Sequence, residues 1–230
     1  MAMIGLIGGL SWESSAEYYR LINQGVRDRR GGVASAPLLL WSFDFAVIEA
    51  MQHAGHWPAA TAAMTDAAQH LERSGAGLVL ICSNTMHLMA GAVQAVIGVP
   101  LLHIADPTAD AIVAAGLTRV GLLGTAFTME HPFYRERLTR RGLTVLVPGE
   151  DDRAVVHRVI YNELVQGVIR PESRAAYRAI IARLIGGGAQ AVILGCTEIM
   201  LLVDSSDSAV PLFDTTTLHA NAAVAWLLRA

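Results

Sequence analysis

The sequence predicts an α/β fold of two related domains, each built on a mainly parallel sheet with helices on both faces. Short apolar segments alternate with longer segments of helical periodicity along all 230 residues. Segments of the first half recur in the same order in the second half, which is typical of a duplication. Hydrophobic residues make up 53% of the chain, so a chain of this length can bury a substantial core.

In the first half, short apolar runs predict strands and longer segments between them predict helices. Ser14 and Glu17 have the spacing of a capping box and indicate the start of the first helix, and Gly31–Gly32 indicates its end. The predicted strands are 3–8, 38–43, 78–82 and 101–104, and the predicted helices are 14–30, 44–53, 58–73, 84–96 and 106–115.

The second half restarts the same alternation. Its predicted strands are 119–124, 143–147, 191–196 and 210–213, and its predicted helices are 129–141, 151–167, 171–184 and a last helix that ends at Arg229. Three matches in order relate the halves: 4–8 with 120–124, Cys82 with Cys196, and 99–101 with 210–212. We therefore expect two domains related by a pseudo-twofold axis. The carboxyl ends of their strands, where open α/β sheets bind ligands, would then face a shared cleft.

The two cysteines of the chain, Cys82 and Cys196, each end an apolar strand and precede small polar residues. Inverting a carbon centre needs a base on one face and an acid on the other, and a pair of equivalent thiols can supply both. An unperturbed thiol has a pKa near 8.5, and a helix starting directly after it is expected to lower that pKa. The same helix starts would bind a substrate carboxylate. The alternative is that both thiols are small hydrophobic residues of the core.

The charged residues exclude several kinds of chemistry. The 17 basic residues are all arginine, so a pyridoxal phosphate Schiff base and a lysine-dependent phosphate loop are both excluded. A net charge of −3 gives no electrostatic case for nucleic-acid binding. The histidines lack metal-ligand spacing with the cysteines, so we expect no metal site.

The apolar segments are too short or too interrupted to predict a membrane span. The first strand lacks the basic flank of a secretory signal, so a cytoplasmic protein is expected. Cysteines stay reduced in that compartment, which makes a disulfide between Cys82 and Cys196 the minor interpretation.

Three segments carry a resemblance to a known family: 4–14 (IGLIGGLSWES), 82–87 (CSNTMH) and 195–199 (GCTEI), supported by 123–125 and 213–215. In these segments the chain resembles the aspartate/glutamate racemase superfamily of cofactor-independent amino-acid racemases. It is most similar to the bacterial subgroup with Ser-Trp-Glu-Ser after the first glycines. That subgroup includes enzymes described as L-aspartate/glutamate-specific and enzymes described as broad-specificity.

The resemblance implies that Cys82 and Cys196 are the two acid/base residues. It further implies substrate-binding roles for Leu10, Ser11, Gln52, Ser83, Asn84, Thr85, Thr125, Thr197 and Glu198. In this family the last helix returns to the first domain, which implies domains of 1–111 with 212–230 and of 112–211. A homodimer is also implied.

Departures from the family pattern concern the substrate. Glutamate racemases carry histidine where this chain has Glu198, which would either assist Cys196 or cap a helix. Aspartate racemases use a basic residue after the second strand, whereas the candidate here is the neutral Gln52. Arg119 or Arg135 could replace it, although solvated helix faces are the alternative for both.

The leading hypothesis is a two-base amino-acid racemase that interconverts L and D enantiomers. A hydantoin racemase, or a decarboxylase or maleate isomerase of the same superfamily, is the first alternative. The second is a two-lobed small-molecule binding protein in which both cysteines only pack the core.

Overall fold

The structure is a computed structural model that describes residues 2–229. The chain forms two compact units. Unit 1 contains residues up to 104 together with those from 219 onward, and unit 2 contains residues 105–218. The domain boundaries implied by the resemblance stay a prediction.

Unit 1 is built on a four-stranded parallel sheet of order β2-β1-β3-β4. The strands are β1 (Ile4–Gly8), β2 (Leu38–Ser42), β3 (Leu78–Ile81) and β4 (Leu101–Leu102). The helices are α1 (Trp12–Arg30), α2 (Phe45–His53), α3 (Trp57–Arg73) and α4 (Ala90–Val96), with a 3-10 helix at Thr85–Met89.

The central strands β1 and β3 of unit 1 are buried on both faces, as is usual in parallel sheets, whereas the edge strand β2 is exposed at 40–42. Successive side chains of a strand point to opposite faces, and Leu6 and Ile7 of β1 accordingly lie in two different hydrophobic clusters. The turn after β1 depends on Gly9, whose φ is +68°. A Cβ at this position would lie 2.2 Å from the backbone of Phe43, so the turn requires glycine.

Unit 2 repeats the topology with a parallel sheet of order β6-β5-β7-β8. The strands are β5 (Arg119–Gly124), β6 (Thr144–Leu146), β7 (Ala191–Gly195) and β8 (Leu212–Asp214). The helices are α5 (Ala105–Ala114), α6 (Ala126–Glu130), α7 (Pro132–Thr139), α8 (Glu150–Asn162), α9 (Pro171–Gly186), α10 (Ile199–Leu202) and α11 (Thr215–Leu227), which continues into unit 1. The shared strand order confirms the predicted α/β class and supports a duplication.

Several predicted helix boundaries are wrong for identifiable reasons. The first helix begins at Trp12 with Ser11 as its N-cap, because the hydroxyl of Ser14 donates to the carbonyl of Cys82 instead of capping. The predicted helix 129–141 is interrupted because Pro132 starts a new helix at its first position. The predicted helices 84–96 and 151–167 include 3-10 segments, at Thr85–Met89 and Leu164–Gln166.

None of the helices in the described part of the chain is both long enough and apolar enough to cross a membrane.

Candidate active site

Cys82 lies directly after β3 and is completely buried. Its backbone is fixed on both sides: its N–H donates to the carbonyl of Ile7 at 2.9 Å, and its carbonyl accepts from the Ser14 hydroxyl at 3.1 Å. Its side chain belongs to the hydrophobic cluster of Leu6 and Tyr18. Burial raises the pKa of the Cys82 thiol.

The segment after Cys82 is held by His87. Its Nδ1 lies 2.7 Å from the carbonyl of Ser83, and its Nε2 lies 3.1 Å from the backbone nitrogen of Ile104. Because a carbonyl only accepts and a backbone N–H only donates, the ring is neutral and carries its proton on Nδ1. His87 is a buried histidine that orients the backbone next to Cys82.

The predicted site residues of unit 1 collect near the carboxyl ends of β1 and β3, which are paired neighbours. Leu10 and Ser11 follow β1, and Asn84 and Thr85 follow Cys82; all four are buried. Gln52 is buried near the end of α2, where its amide nitrogen lies 3.0 Å from the sulfur of Met86.

Cys196 lies directly after β7 and contacts a carboxylate. Its Sγ donates to Oε2 of Glu198 at 3.0 Å, and the Thr197 hydroxyl donates to the same oxygen at 2.8 Å. All three residues are buried. Burial has the largest effect on the pKa of the Cys196 thiol and raises it, and the negative charge of Glu198 raises it further. Glu198 makes no side-chain capping bond to α10, so of its two expected roles the geometry favours contact with Cys196.

Thr125 lies at the carboxyl end of β5, beside β7, where its hydroxyl caps α6 by accepting from the backbone of Thr128 at 3.2 Å. Two hydroxyl groups that were not predicted as site residues fix strand ends. Ser14 binds the carbonyl of Cys82, and Thr215 donates to the carbonyl of Leu194 at 2.9 Å. Thr215 directly follows β8, which is a signal visible in the sequence, whereas Ser14 lies in the first turn of α1, six residues after the end of β1.

Helix starts were expected to lower the pKa of both thiols. At Cys196 the backbone N–H groups of Thr197 and Glu198 do lower the pKa, but burial and the charge of Glu198 outweigh them, and at Cys82 burial raises the pKa. The segment after Cys82 is a 3-10 helix of five residues, and α10 after Cys196 has four. Such short segments lack the sum of aligned peptide dipoles that a long helix offers. Burial has the larger effect, and it raises both pKa values.

Arg119 does not lie near Cys196. It is the first residue of β5 and donates to the carbonyls of Gly187 and Gly188, which precede β7. Cys196 follows the opposite end of β7, roughly 16 Å away along a five-residue strand. Arg135 of α7 donates to the carbonyl of Glu130, the last residue of α6, at 3.1 Å.

His219 of unit 1 belongs to the same buried histidine group as His87, with ring centroids 5.8 Å apart. Its Nδ1 lies 2.7 Å from the Tyr18 hydroxyl and its Nε2 lies 2.9 Å from the carbonyl of Leu102. Because a carbonyl only accepts, Nε2 carries a proton. Burial and, to a smaller extent, the nearby His87 together lower the pKa of His219 to about 3, although the bond to Leu102 acts in the opposite direction.

Acid is therefore expected to destabilise unit 1. Below pH about 6.5, His219 is protonated in the unfolded chain but stays neutral in the folded chain. The free energy of unfolding therefore falls by about 1.4 kcal/mol per pH unit between pH 6.5 and 3 because of this group. Urea unfolding at pH 7, 6, 5 and 4 measures the slope. Tryptophan fluorescence is the signal, because all four tryptophans lie in unit 1. The variant His219→Asn should be less stable at pH 7 and show a shallower acid slope; parallel slopes for the two proteins would contradict the prediction.

Comparisons with known proteins agree with one another. The family model described as Asp/Glu/Hydantoin racemase matches residues 7–223. A Yersinia pestis protein of known crystal structure, provisionally called an Asp/Glu racemase, is 49% identical, with a TM-score of 0.92 over 99% of this chain and 100% of that one. An aspartate racemase homologue from Pyrococcus horikoshii OT3 is 32% identical, with a TM-score of 0.85 over 99% and 100% of the two chains. The broad specificity amino-acid racemase RacX of Bacillus subtilis is 27% identical over 169 residues, which cover 72% of this chain and 71% of RacX.

Proposed function

The chain belongs to the Asp/Glu/Hydantoin racemase family, and on that premise we propose that it is a cofactor-independent amino-acid racemase. The observation that supports this most is the equivalent position of its two thiols. Cys82 follows β3 and Cys196 follows β7, and these strands occupy the same place in two sheets of identical order. Packing alone gives no reason for a thiol at both positions.

In the proposed reaction, one cysteine acts as a thiolate and takes the α-proton of the amino acid. The other cysteine, still a thiol, gives its proton to the opposite face of the α-carbon. The two proton transfers invert the centre, and the roles of the thiols exchange for the other enantiomer. Ser83, Asn84, Thr85 and Thr197 would bind the substrate and stabilise the negative charge that develops on its carboxylate. Leu10, Ser11, Gln52 and Thr125 would line the site.

Glu198 is proposed to receive the proton of Cys196 when this residue acts as the base. The thiol already donates to Oε2 of Glu198 at 3.0 Å. Transfer along this bond leaves the net charge of the buried pair unchanged, and so avoids adding a second charge to a desolvated site. The cycle closes when Cys82 regains a proton from solvent and Glu198 releases one.

Among the described residues, no carboxylate is in a corresponding contact with Cys82. Burial raises the pKa of Cys82, whereas the charge of Glu198 adds to burial at Cys196. The two thiols are therefore chemically unequal, which gives a physical basis for different kinetic constants toward the two enantiomers.

A substrate screen tests the proposed function. Chiral chromatography of L- and D-amino acids and of 5-substituted hydantoins, each incubated with the protein, should show inversion of amino acids. The neutral amide of Gln52 favours activity on amino acids with uncharged side chains over activity restricted to aspartate and glutamate. Inversion of hydantoins without any inversion of amino acids would instead identify a hydantoin racemase.

A further inference from the structure

Glu13 carries a buried carboxylate oxygen that no group in the described part of the chain binds. It lies in the first turn of α1, and its Oε2 is shielded from solvent without a hydrogen-bond partner among the described residues. Three other carboxylates near strand ends do accept hydrogen bonds. Oε2 of Glu198 accepts from two side chains, and Asp44 and Asp214 accept from the backbones of Ala46, Thr216 and Thr217.

The turn that carries Glu13 is tied to the strand end at Cys82. Ser14, the next residue, donates its hydroxyl to the carbonyl of Cys82 at 3.1 Å. Ser15 accepts from the backbone of Gly9 at 2.8 Å, and Ser11 caps the helix. This turn therefore has a fixed position beside the proposed catalytic thiol of unit 1.

A carboxylate oxygen that is removed from water and lacks a donor is unfavourable by itself. The start of α1 offsets part of that cost, because a negative side chain in the first turn of a long helix is stabilised by the helix dipole. The remainder would be recovered by a cation with N–H donors. An amino acid brings such a group, since its α-ammonium carries one positive charge and three donors. The residues proposed to bind the substrate in unit 1 are all neutral and cannot balance that charge.

We propose that Glu13 binds the α-ammonium group of the substrate. The assignment rests on the proposed function, because it takes the substrate to be a free amino acid. A hydantoin has no ammonium group and would leave Glu13 without a role.

The test compares amino acids with the carboxylic acids that lack only the amino group, using calorimetry on the whole protein. L-alanine is paired with propanoate and L-glutamate with glutarate. The wild type should bind at least one amino acid about 10- to 100-fold more tightly than its partner, the range of a charge-assisted hydrogen bond. In Glu13→Gln this preference should fall to about threefold or less.

The matched control is Glu17→Gln, one turn further along α1. Glu17 forms an ion pair with Arg20, so its removal should leave the preference for the amino group unchanged. Glu13→Gln should also melt at or above the temperature of the wild type without ligand, because it removes the charge from a side chain whose buried Oε2 lacks a donor among the described residues.

Three results would overturn the proposal: a Glu13→Gln variant that keeps the wild-type preference, one that is clearly destabilised without ligand, or a wild type that binds neither amino acid. Calorimetry does not depend on turnover. A Glu13-dependent preference without any inversion of amino acids would therefore support the Glu13 site and contradict the racemase function.

Discussion

Replacing either Cys82 or Cys196 with alanine is expected to lower the racemisation rate on the order of 10³-fold or more. Each thiol serves one face of the α-carbon, so neither can take over from the other. For the same reason the double variant should be hardly worse than either single variant, since removing one half of a proton-transfer pair already stops the reaction. Initial rates in both directions, followed by chiral chromatography, measure the effect.

Stability must be separated from chemistry in this experiment, because both cysteines are buried. Val192→Ala is a suitable control, since Val192 is a fully buried residue of β7. It should lower the melting temperature through the cavity it leaves and retain most of the activity. Wild-type rates in either cysteine variant would contradict the two-base mechanism. Unchanged ligand affinity together with no inversion by any form of the protein would favour the binding-protein alternative.

Glu198→Gln is expected to lower kcat on the order of 10²-fold, with a much smaller change in KM. The amide keeps the size and the acceptor oxygen of Glu198 but cannot take the proton of Cys196. The two possible roles of Glu198, electrostatic and proton-accepting, predict opposite changes in activity, so the result distinguishes between them. Removing the negative charge lowers the pKa of Cys196 and favours its thiolate, so a purely electrostatic role predicts equal or higher activity. A role as proton acceptor predicts the loss.

The control for Glu198→Gln is Asp152→Asn, which removes a unit-2 carboxylate that pairs with Arg183 and contacts no thiol. It should leave kcat unchanged. The pH profile gives a second measurement, because without an internal acceptor the reaction depends on proton loss to solvent. The alkaline limb of the profile should then move. An active Glu198→Gln variant with the wild-type profile would leave Glu198 as a neighbour of Cys196 without a part in proton transfer.

The fold was largely predictable because its determinants are local. Apolar runs such as 78–81 and 191–195 have the length and composition of buried parallel strands, and their repetition in order predicted two similar sheets. Helix ends were harder, because Ser14 has the spacing of a cap but its hydroxyl is used by Cys82 instead. Pro132 indicates a helix start, and the predicted continuous helix 129–141 did not take it into account.

The candidate site was predictable in its residues but not in its electrostatics. Position after a strand identifies Cys82 and Cys196, yet nothing in the sequence states how deeply each thiol is buried, and burial decides the direction of both pKa shifts. The contact between Cys196 and Glu198 depends on a turn conformation that spacing alone does not fix. The neutral state of His87 follows from partners at Ser83 and Ile104, and the second of these is distant in sequence.

Deuterium incorporation tests the two-base mechanism most directly. A substrate amino acid is incubated with the protein in deuterated water. At less than about one tenth of full conversion, the two enantiomers are separated and the deuterium content of each is measured by mass spectrometry. Two thiols on opposite faces predict that the product enantiomer carries one α-deuterium per molecule, while the remaining substrate stays unlabelled, and the same should hold in the reverse direction. A product that keeps the original α-hydrogen, or a substrate pool that gains label as fast as the product, would show that one group serves both faces and would contradict the mechanism.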